Sequence, residues 1–225
     1  MKTTLDAGGQ ICIPDEIRST DHLAAGDSFE LERLTPGHYL LTKQQSAGAH
    51  FTVADGEDGL PVIRTEKRRH YLATGQRIGK PDAVSFLLDV NMLMALLWEN
   101  HEHHPVARGW LRRVTDFTTC PVSQLGFARV SSHPLLGYSM SPDQAFGVLR
   151  RFLADSRHRF VSDDLSCADR VVRTDLMGGA NQVTDHYLVA LARQHRLSLA
   201  TFDEPLAKAF AGEAGLVLLL RGTHP

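Results

Sequence analysis

Three aspartates lie at sequence positions where the functional residues of a parallel α/β sheet are usually found. Asp89 and Asp203 each follow directly after an apolar run, and Asp185 lies in the first turn of a predicted helix that begins at Thr184. The carboxyl ends of parallel strands meet at one edge of an open sheet, so we expect the three side chains to converge there. Converging carboxylates repel one another unless a cation neutralises them, and ligation by oxygen alone suits Mg²⁺ or Mn²⁺ better than zinc. These residues therefore predict a divalent-metal site.

The elements that position the aspartates alternate between strand and helix from Ser85 onward, which predicts a parallel sheet with crossover helices. Short apolar runs predict strands at Ser85–Leu88, Phe117–Cys120, Phe160–Val161, Leu197–Phe202 and Leu216–Leu220. Amphipathic spacing predicts helices at Met92–Trp98, Val122–Val130, Ser141–Leu153 and Thr184–His195. We therefore expect residues 84–225 to form one α/β domain.

The first 45 residues have a different pattern of apolar and turn-forming residues. Alternating apolar residues at Ile11 and Ile13, and later at Phe29 and Leu31, are separated by glycine-containing turns and predict short strands. Pro14 is followed by a stretch that suits one helical turn. A unit this small buries too little surface to be stable alone, which indicates that it pairs with a second chain.

The stretch between these two regions carries an unusual charge pattern. Residues 46–59 are small, polar and acidic and are interpreted as a linker, whereas residues 60–80 carry six Lys or Arg residues against Glu66 alone. We interpret residues 46–83 together as a linker followed by a basic arm. A segment with this charge favours an anionic partner, either in another molecule or elsewhere in the same chain.

Composition narrows the class of protein. The chain has 225 residues, of which 43% are hydrophobic and 22% charged, as is usual for a folded globular protein. It lacks both a long apolar run that would span a membrane and the layout of a signal peptide, so the expected location is the cytoplasm. The three cysteines are scattered and do not form a disulfide framework.

The residues around the three aspartates resemble the acidic motifs of PIN-domain ribonucleases of the VapC type. The matching segments are Leu87–Asn91, Thr184–Leu188 and Leu199–Asp203. This resemblance implies a five-stranded parallel sheet flanked by helices, a divalent-metal site and hydrolysis of an RNA substrate. By the same match, Asp89, Asp185 and Asp203 would hold Mg²⁺ or Mn²⁺, while Asn91 and Thr201 would orient ligands, water or phosphate.

The chain departs from this family pattern at one position. The family usually places a glutamate in the helix after the second strand, and Gln124 stands there. An amide oxygen can still bind a cation, but it carries no charge. Loss of a unit charge about 4 Å from a cation costs up to about 4 kcal/mol at an effective dielectric constant near 20. We therefore expect a catalytic site that includes Gln124 and works with weakened metal affinity.

The N-terminal region resembles the AbrB-type swapped-hairpin domain of VapB-type antitoxins. The segments that carry this resemblance are Gly9–Pro14, Glu16–Arg18 and Leu23–Asp27. The resemblance implies an interleaved homodimer or higher homo-oligomer that binds operator DNA. Lys2, Gln10 and Arg18 are the candidate DNA contacts.

The segment Leu60–Arg64 resembles the part of such antitoxins that clamps the toxin. The basic block that follows matches an acidic metal pocket in charge. We therefore expect one of Arg64, Arg68 and Arg69 to enter the metal site and replace the charge of the cation. This contact would make the fused chain autoinhibited.

A histidine-rich stretch and two tryptophans allow simpler interpretations. His101, His103 and His104 lack the spacing of a helical zinc motif, so we interpret them as an exposed loop or an RNA contact. Trp98 and Trp110 are expected in the core.

Together these observations favour a fused antitoxin and toxin with metal-dependent endoribonuclease activity. One alternative is a non-enzymatic, dimeric DNA-binding transcriptional regulator with an inactive PIN domain, which Gln124 favours. A second alternative is a phosphatase similar to the haloacid dehalogenases. That chemistry needs a second aspartate two residues after Asp89, where Asn91 stands instead.

Overall fold

The computed structural model describes residues 4, 7–8, 10–20, 23–35, 38–43, 51–65, 85–133 and 140–221. The chain separates into two compact units, Met1–Gly48 and Ala49–Pro225. Lys2, Arg68 and Arg69, which the sequence singled out, lie outside the described residues. Within the described ranges, none of the helices has the length and apolar character needed to cross a membrane.

The described residues of the first unit form one short helix and one antiparallel hairpin. Its elements are α1 (Asp15–Thr20), β1 (Phe29–Thr35) and β2 (His38–Lys43). The helix begins directly after Pro14, as the sequence predicted. Leu31 pairs with Leu41 across the hairpin, and both side chains are exposed in the single chain. A partner chain would cover such residues, and the swapped dimer stays a prediction.

The second unit is built on a parallel sheet of five strands. Its strands are β5 (Phe86–Leu88), β6 (Phe117–Thr119), β7 (His158–Phe160), β8 (Ser198–Thr201) and β9 (Val217–Leu219). Their order in the sheet is β7-β6-β5-β8-β9, and every neighbouring pair is parallel. Because β5 lies at the centre, its carboxyl end lies between those of β6 and β8. The predicted five-stranded parallel sheet is confirmed.

Helices cover both faces of this sheet. They are α2 (Val90–Leu97), α3 (His104–Leu111), α4 (Pro121–Ser131), α5 (Pro142–Leu153), α6 (Val183–Gln194) and α7 (Glu204–Ala209). Helices α2 to α5 share one buried cluster with Phe86 and Leu88, and α6 and α7 share the other with Leu87. This division follows from the alternation of side chains along a strand. Trp98 and Trp110 are fully buried in the first cluster, as predicted.

A second hairpin packs on the α/β domain and was not foreseen. Strands β3 (Phe51–Asp55) and β4 (Pro61–Thr65) pair antiparallel, so residues 51–59 are not the linker that the sequence indicated. Ile63 of β4 is fully buried and forms a parallel bridge with Trp98, the residue that ends α2. Leu60 and Val62 are also buried. The hairpin therefore belongs to the second unit, because its apolar side chains complete that unit's core.

A buried ion pair fastens the turn of this hairpin to α3. The Arg108 guanidinium pairs with Asp58, and the two side chains are only 5% and 13% exposed. Arg108 also donates to the backbone oxygens of Leu60, at 3.3 Å, and Pro61, at 3.5 Å. A methyl group added at Gly56 would collide with the guanidinium, so a larger residue there would have to displace it. The ion pair satisfies a cation that would otherwise be costly to bury.

Helices α2 and α4 approach each other closely beside the edge of the sheet that carries Asp89. A Cβ atom added to Gly126 of α4 would overlap the side chain of Val90, the first residue of α2. Glycine therefore permits α4 to pass directly beside the start of α2. The site described next lies at this junction.

Candidate active site

Asp89 occupies the end of the central strand and caps α2. Its Oδ1 accepts a hydrogen bond from the backbone N–H of Met92 at 2.5 Å, and its backbone N–H bonds to Ala200 of β8 at 3.4 Å. The residue is only 2% exposed. Aspartate is a favoured N-cap because its side chain satisfies an amide that the first helical turn leaves unpaired. One carboxylate thus both starts the helix and faces the carboxyl edge of the sheet.

Thr201 connects Asp89 to Asp203. Its hydroxyl is fully buried, hydrogen-bonds to the Asp89 carboxylate and accepts the backbone N–H of Asp203 at 3.0 Å. A carboxylate can only accept, so the hydroxyl donates to Asp89 and uses a lone pair for Asp203. Asp203 in turn caps α7, and its Oδ1 accepts the N–H of Leu206 at 2.7 Å. The predicted residues at the ends of β5 and β8 are therefore adjacent.

Asp185 approaches from α6. The helix begins at Val183 after a short 3₁₀ turn, with Gln182 as its N-cap, so the expected cap at Thr184 is wrong. The 3₁₀ turn leads straight into the helix and places Thr184 inside the first turn. Asp185 lies half-buried in that same turn, where the helix dipole favours negative charge.

Burial and repulsion between carboxylates disfavour ionisation of Asp89 and Asp185. Burial, with smaller contributions from the charges of Asp185 and Asp203, raises the pKa of Asp89 to about 7 against the opposing hydrogen bonds from Thr201 and Met92. Burial also raises the pKa of Asp185 to about 6, with a further contribution from the charge of Asp203. The three aspartates therefore lie close enough to repel one another. The structure brings together the acidic residues that the sequence singled out.

The donor chemistry of this cluster suits a hard divalent cation. Within the described part of the chain, no group of three His, Cys, Asp or Glu side chains is arranged so that it could hold a metal ion. The three aspartates are thus near one another but not closed around a point. A cation would remove both the repulsion and the cost of burying charge, and their oxygen ligands suit Mg²⁺ or Mn²⁺. That Asp89, Asp185 and Asp203 hold such an ion stays a prediction.

Without bound metal, we expect the protein to lose stability as the pH rises from about 4 to about 7. The folded chain holds the protons of Asp89 and Asp185 more tightly than the unfolded chain does, so ionisation favours unfolding. At about 1.4 kcal/mol per pKa unit, Asp89 alone contributes up to about 4 kcal/mol. Urea denaturation in EDTA across this pH range measures the loss.

Other ionisable groups also titrate over this range, so Asp89→Asn is the control for that stability measurement. The difference between the two proteins should grow with pH and level off above about pH 7. Parallel pH curves for the two proteins would contradict the prediction.

Gln124 lies in the first turns of α4 but is bonded away from the aspartates. Its Nε2 donates to the Thr119 hydroxyl at 2.8 Å, and that hydroxyl lies 2.8 Å from Nε2 of His158. Burial lowers the pKa of His158, which favours the neutral ring. The described contacts thus hold Gln124 beside β6 and β7, and its part in catalysis stays a prediction.

A groove leads away from Asp185 between α2, α4 and α6. It has a volume of about 610 Å³, and its lining includes Asn91, which the sequence predicted as a site residue. Arg129 and Asn181 also line it, and sequence reasoning did not assign either to the site. Leu125 and Arg129 lie four residues apart and so share one face of α4. This four-residue spacing could be read from the sequence, but it does not show which other elements lie opposite that face of α4.

Arg64 lies away from the aspartates. It pairs with Glu99 at 3.2 Å, beside the end of α2, whereas Asp89 precedes the start of that helix. The helix separates the two positions by about 13 Å at 1.5 Å per residue. The structure therefore does not bring Arg64 into the acidic cluster. Of the candidate DNA contacts that are described, Gln10 is exposed and Arg18 is exposed and pairs with Asp15.

The histidines pack more closely than the predicted exposed loop. Burial lowers the pKa of His101 to about 4, and the ring of His103 stacks on Phe202 with centroids 4.3 Å apart. His104 hydrogen-bonds to the backbone oxygen of Ala95 at 2.8 Å. These contacts anchor the start of α3. His101 and His103 do lie in the loop between α2 and α3, but the predicted exposure is wrong because the three side chains are partly buried, and an RNA contact stays a prediction.

These features define an α/β domain with a parallel sheet and a carboxylate cluster at its carboxyl edge. A family model described as the PIN domain matches residues 86–210, more than half of the chain. The chain therefore belongs to the PIN-domain family. The matched range contains the three aspartates, Thr201 and the groove.

Curated relatives and solved structures are similar to this chain. Ribonuclease VapC38 of Mycobacterium tuberculosis (strain ATCC 25618 / H37Rv) is 42% identical over 120 residues, which cover 52% of this chain and 84% of that protein. Ribonuclease VapC39 of Mycobacterium tuberculosis (strain CDC 1551 / Oshkosh) is 36% identical over 142 residues, covering 60% of this chain and 98% of that protein. The crystal structure of Mycobacterium tuberculosis VapC20, a toxin that cleaves the sarcin-ricin loop, has a TM-score of 0.43 at 14% identity and covers 55% of this chain and 94% of that one.

Proposed function

We propose that this protein is a ribonuclease of the VapC toxin type that hydrolyses RNA with the help of Mg²⁺ or Mn²⁺. The observation that carries the proposal is the cluster of Asp89, Asp185 and Asp203, in which burial and neighbouring carboxylates raise the pKa of Asp89 and of Asp185, so that a cation would offset the cost of their charge. The ribonucleases that are 36–42% identical to this chain support the substrate class. In this proposal the three aspartates hold the ion.

The side chains around the aspartates have defined tasks in this proposal. A divalent cation supplies a more acidic water and neutralises the charge that develops on the phosphodiester. Thr201 keeps the Asp89 carboxylate in one orientation through its hydroxyl, and the helix caps restrain Asp89 and Asp203. Because these ligands are already restrained, the reacting groups can be positioned without a further loss of side-chain freedom. Asn91 lies on the groove wall, where it can contact phosphate or water.

The antitoxin character of the N-terminal half is also part of the proposal. The two separate units agree with a fusion of two functional parts. The first unit would form a homodimer and bind operator DNA. Inhibition would come from Arg68 or Arg69 rather than Arg64, because Arg64 already pairs with Glu99. A transcriptional regulator with an inactive nuclease half is the competing function, which the replacement of glutamate by Gln124 favours.

Metal-dependent cleavage by the full chain tests this function. Wild-type protein and an Arg68→Ala, Arg69→Ala double variant would be incubated with labelled single-stranded RNA in Mn²⁺ or EDTA. We expect cleavage in Mn²⁺, none in EDTA, and faster cleavage by the double variant because the inhibitory charge is gone. If neither protein cut RNA in Mn²⁺, the regulator would be the better assignment. Equal rates for the two proteins would argue against inhibition by these arginines.

A further inference from the structure

The groove beside the aspartates is continuous with the carboxylate cluster. Asp185 forms part of its wall, together with the first turns of α2 and α6 and one face of α4. Its volume of about 610 Å³ lies within the range of about 300–1,000 Å³ that is typical of small-molecule sites. A group that filled this groove would therefore lie directly beside a phosphate held at the aspartates.

The groove offers three kinds of contact. Asn91 and Asn181 contribute side-chain amides, which can both donate and accept hydrogen bonds. Val122 and Leu125 contribute apolar surface, and Leu125 is 59% exposed although it is a large hydrophobic residue. Arg129 contributes positive charge. These contacts match the three parts of a nucleotide. The amides suit the edge of a base, the apolar side chains suit its face, and the positive charge suits a phosphate.

Arg129 is the most informative residue of the groove. It is exposed in the last turn of α4 and forms no ion pair with any residue in the described ranges. Some other arginines of the domain are paired, such as Arg157 with Asp155 and Arg193 with Glu213. A guanidinium offers several donors in a planar arrangement that matches a phosphate. An unpaired arginine beside the carboxylates is therefore suited to an RNA backbone.

We propose that this groove binds the unpaired nucleotide that adjoins the phosphate to be cleaved. The inference rests on the proposed ribonuclease function and adds to it the part of the RNA that is recognised. Arg129 binds the flanking phosphate, Asn91 and Asn181 contact the edge of the base, and Leu125 packs against its face. Sequence-specific recognition of RNA usually requires an unpaired base that is free to turn into such a site.

A peptide segment is the competing occupant, because amides and apolar side chains also bind peptides. The continuity of the groove with the aspartates favours RNA, since Asp185 itself forms part of its wall. Arg129 favours RNA as well, because a backbone phosphate always accompanies a nucleotide whereas a peptide carries no obligatory anion.

Variants of the full chain test this inference. Arg129→Gln removes the charge in the groove, and Arg113→Gln is the matched control because Arg113 is exposed and lies outside the groove lining. The readouts are KM for single-stranded RNA in Mn²⁺ and the salt dependence of RNA binding in an Asp89→Asn background, measured by fluorescence anisotropy. Loss of one phosphate contact should raise KM by about 10-fold and lower the slope of log K against log salt by about 0.7. Arg113→Gln should change neither value.

Base recognition has its own measurement. Asn181→Ala should change the ratio of kcat/KM between RNAs that differ only at the base beside the cut by about 10-fold, because a lost amide contact removes discrimination. Single-stranded RNAs of otherwise identical sequence supply the four bases at that position. An unchanged ratio would overturn the assignment of Asn181.

The outcomes separate this inference from the proposed function. If wild-type protein cleaves RNA and Arg129→Gln behaves like Arg113→Gln, the groove inference fails and the ribonuclease stands. If no protein cleaves RNA but Arg129→Gln still lowers the salt slope, the groove binds RNA and the catalytic proposal fails. If Arg129→Gln increases cleavage, the groove holds an inhibitory peptide segment and the inference is overturned.

Discussion

Replacing Asp89 with asparagine is expected to lower the rate of RNA cleavage by about 1,000-fold while the protein stays folded. The substitution removes a unit charge from the centre of the proposed metal site. At about 4 Å and an effective dielectric constant near 20, that charge interacts with a cation by about 4 kcal/mol, which corresponds to about three orders of magnitude in rate. Cleavage of labelled RNA in Mn²⁺, with rates fitted from time courses, measures the effect.

The fold should survive because asparagine can keep the capping interaction. Asp89 accepts the Met92 N–H through one oxygen, and asparagine retains such an oxygen and is as good an N-cap as aspartate. Asp143→Asn is the matched control, since Asp143 is exposed in the first turn of α5 and lies outside the acidic cluster. Wild-type cleavage by Asp89→Asn would remove Asp89 from the mechanism. An unfolded variant would show in circular dichroism and be set apart from a catalytic loss.

The acidic site was predictable because its signals are local. Asp89 and Asp203 each follow a buried strand and cap the next helix, so strand pattern and cap preference point to the same residues. The alternation of strands and helices predicted a parallel sheet, and that sheet brings the two strand ends together. The predicted cap of α6 at Thr184 was wrong because the 3₁₀ turn Ala180–Gln182 leads directly into the helix, which makes Gln182 the cap.

The hairpin and the groove were not predictable because their partners are distant in the chain. Residues 51–59 are polar and acidic around a tight turn, which suits a linker as well as a hairpin. What makes them a hairpin on this domain is the contact of Ile63 with Trp98 and of Asp58 with Arg108, residues 35 and 50 positions apart. The position of Arg129 in a groove was not predictable for the same reason, since the residue spacing on α4 does not show which other helices line the groove.

Removing the Asp58 carboxylate is expected to destabilise the second unit by about 3–5 kcal/mol, the usual cost of breaking a buried ion pair. In Asp58→Ala the Arg108 guanidinium would stay buried with only backbone oxygens as partners. Asp55→Ala is the matched control on the same hairpin. Asp55 pairs with Arg151 on the surface, with the side chains 68% and 46% exposed, so its loss should cost at most about 1 kcal/mol. Urea denaturation of both variants measures the difference.

A compensating substitution distinguishes the lost charge partner from a general disturbance of the turn. Arg108→Met in the Asp58→Ala protein removes the unpaired cation and leaves an apolar side chain in the same space, which should recover much of the stability. Equal losses for Asp58→Ala and Asp55→Ala would show that water reaches Arg108 and that the pair is not buried in solution.

The same reasoning sets where the nuclease part of the chain begins. A fragment that started at residue 85 would lose the whole hairpin, uncover Trp98 and leave Arg108 buried without its carboxylate. A fragment that started at residue 49 keeps every one of these contacts. We therefore expect residues 49–225 to unfold cooperatively, and residues 85–225 to be far less stable, because both the apolar cover and the charge partner of the domain lie upstream of its first strand.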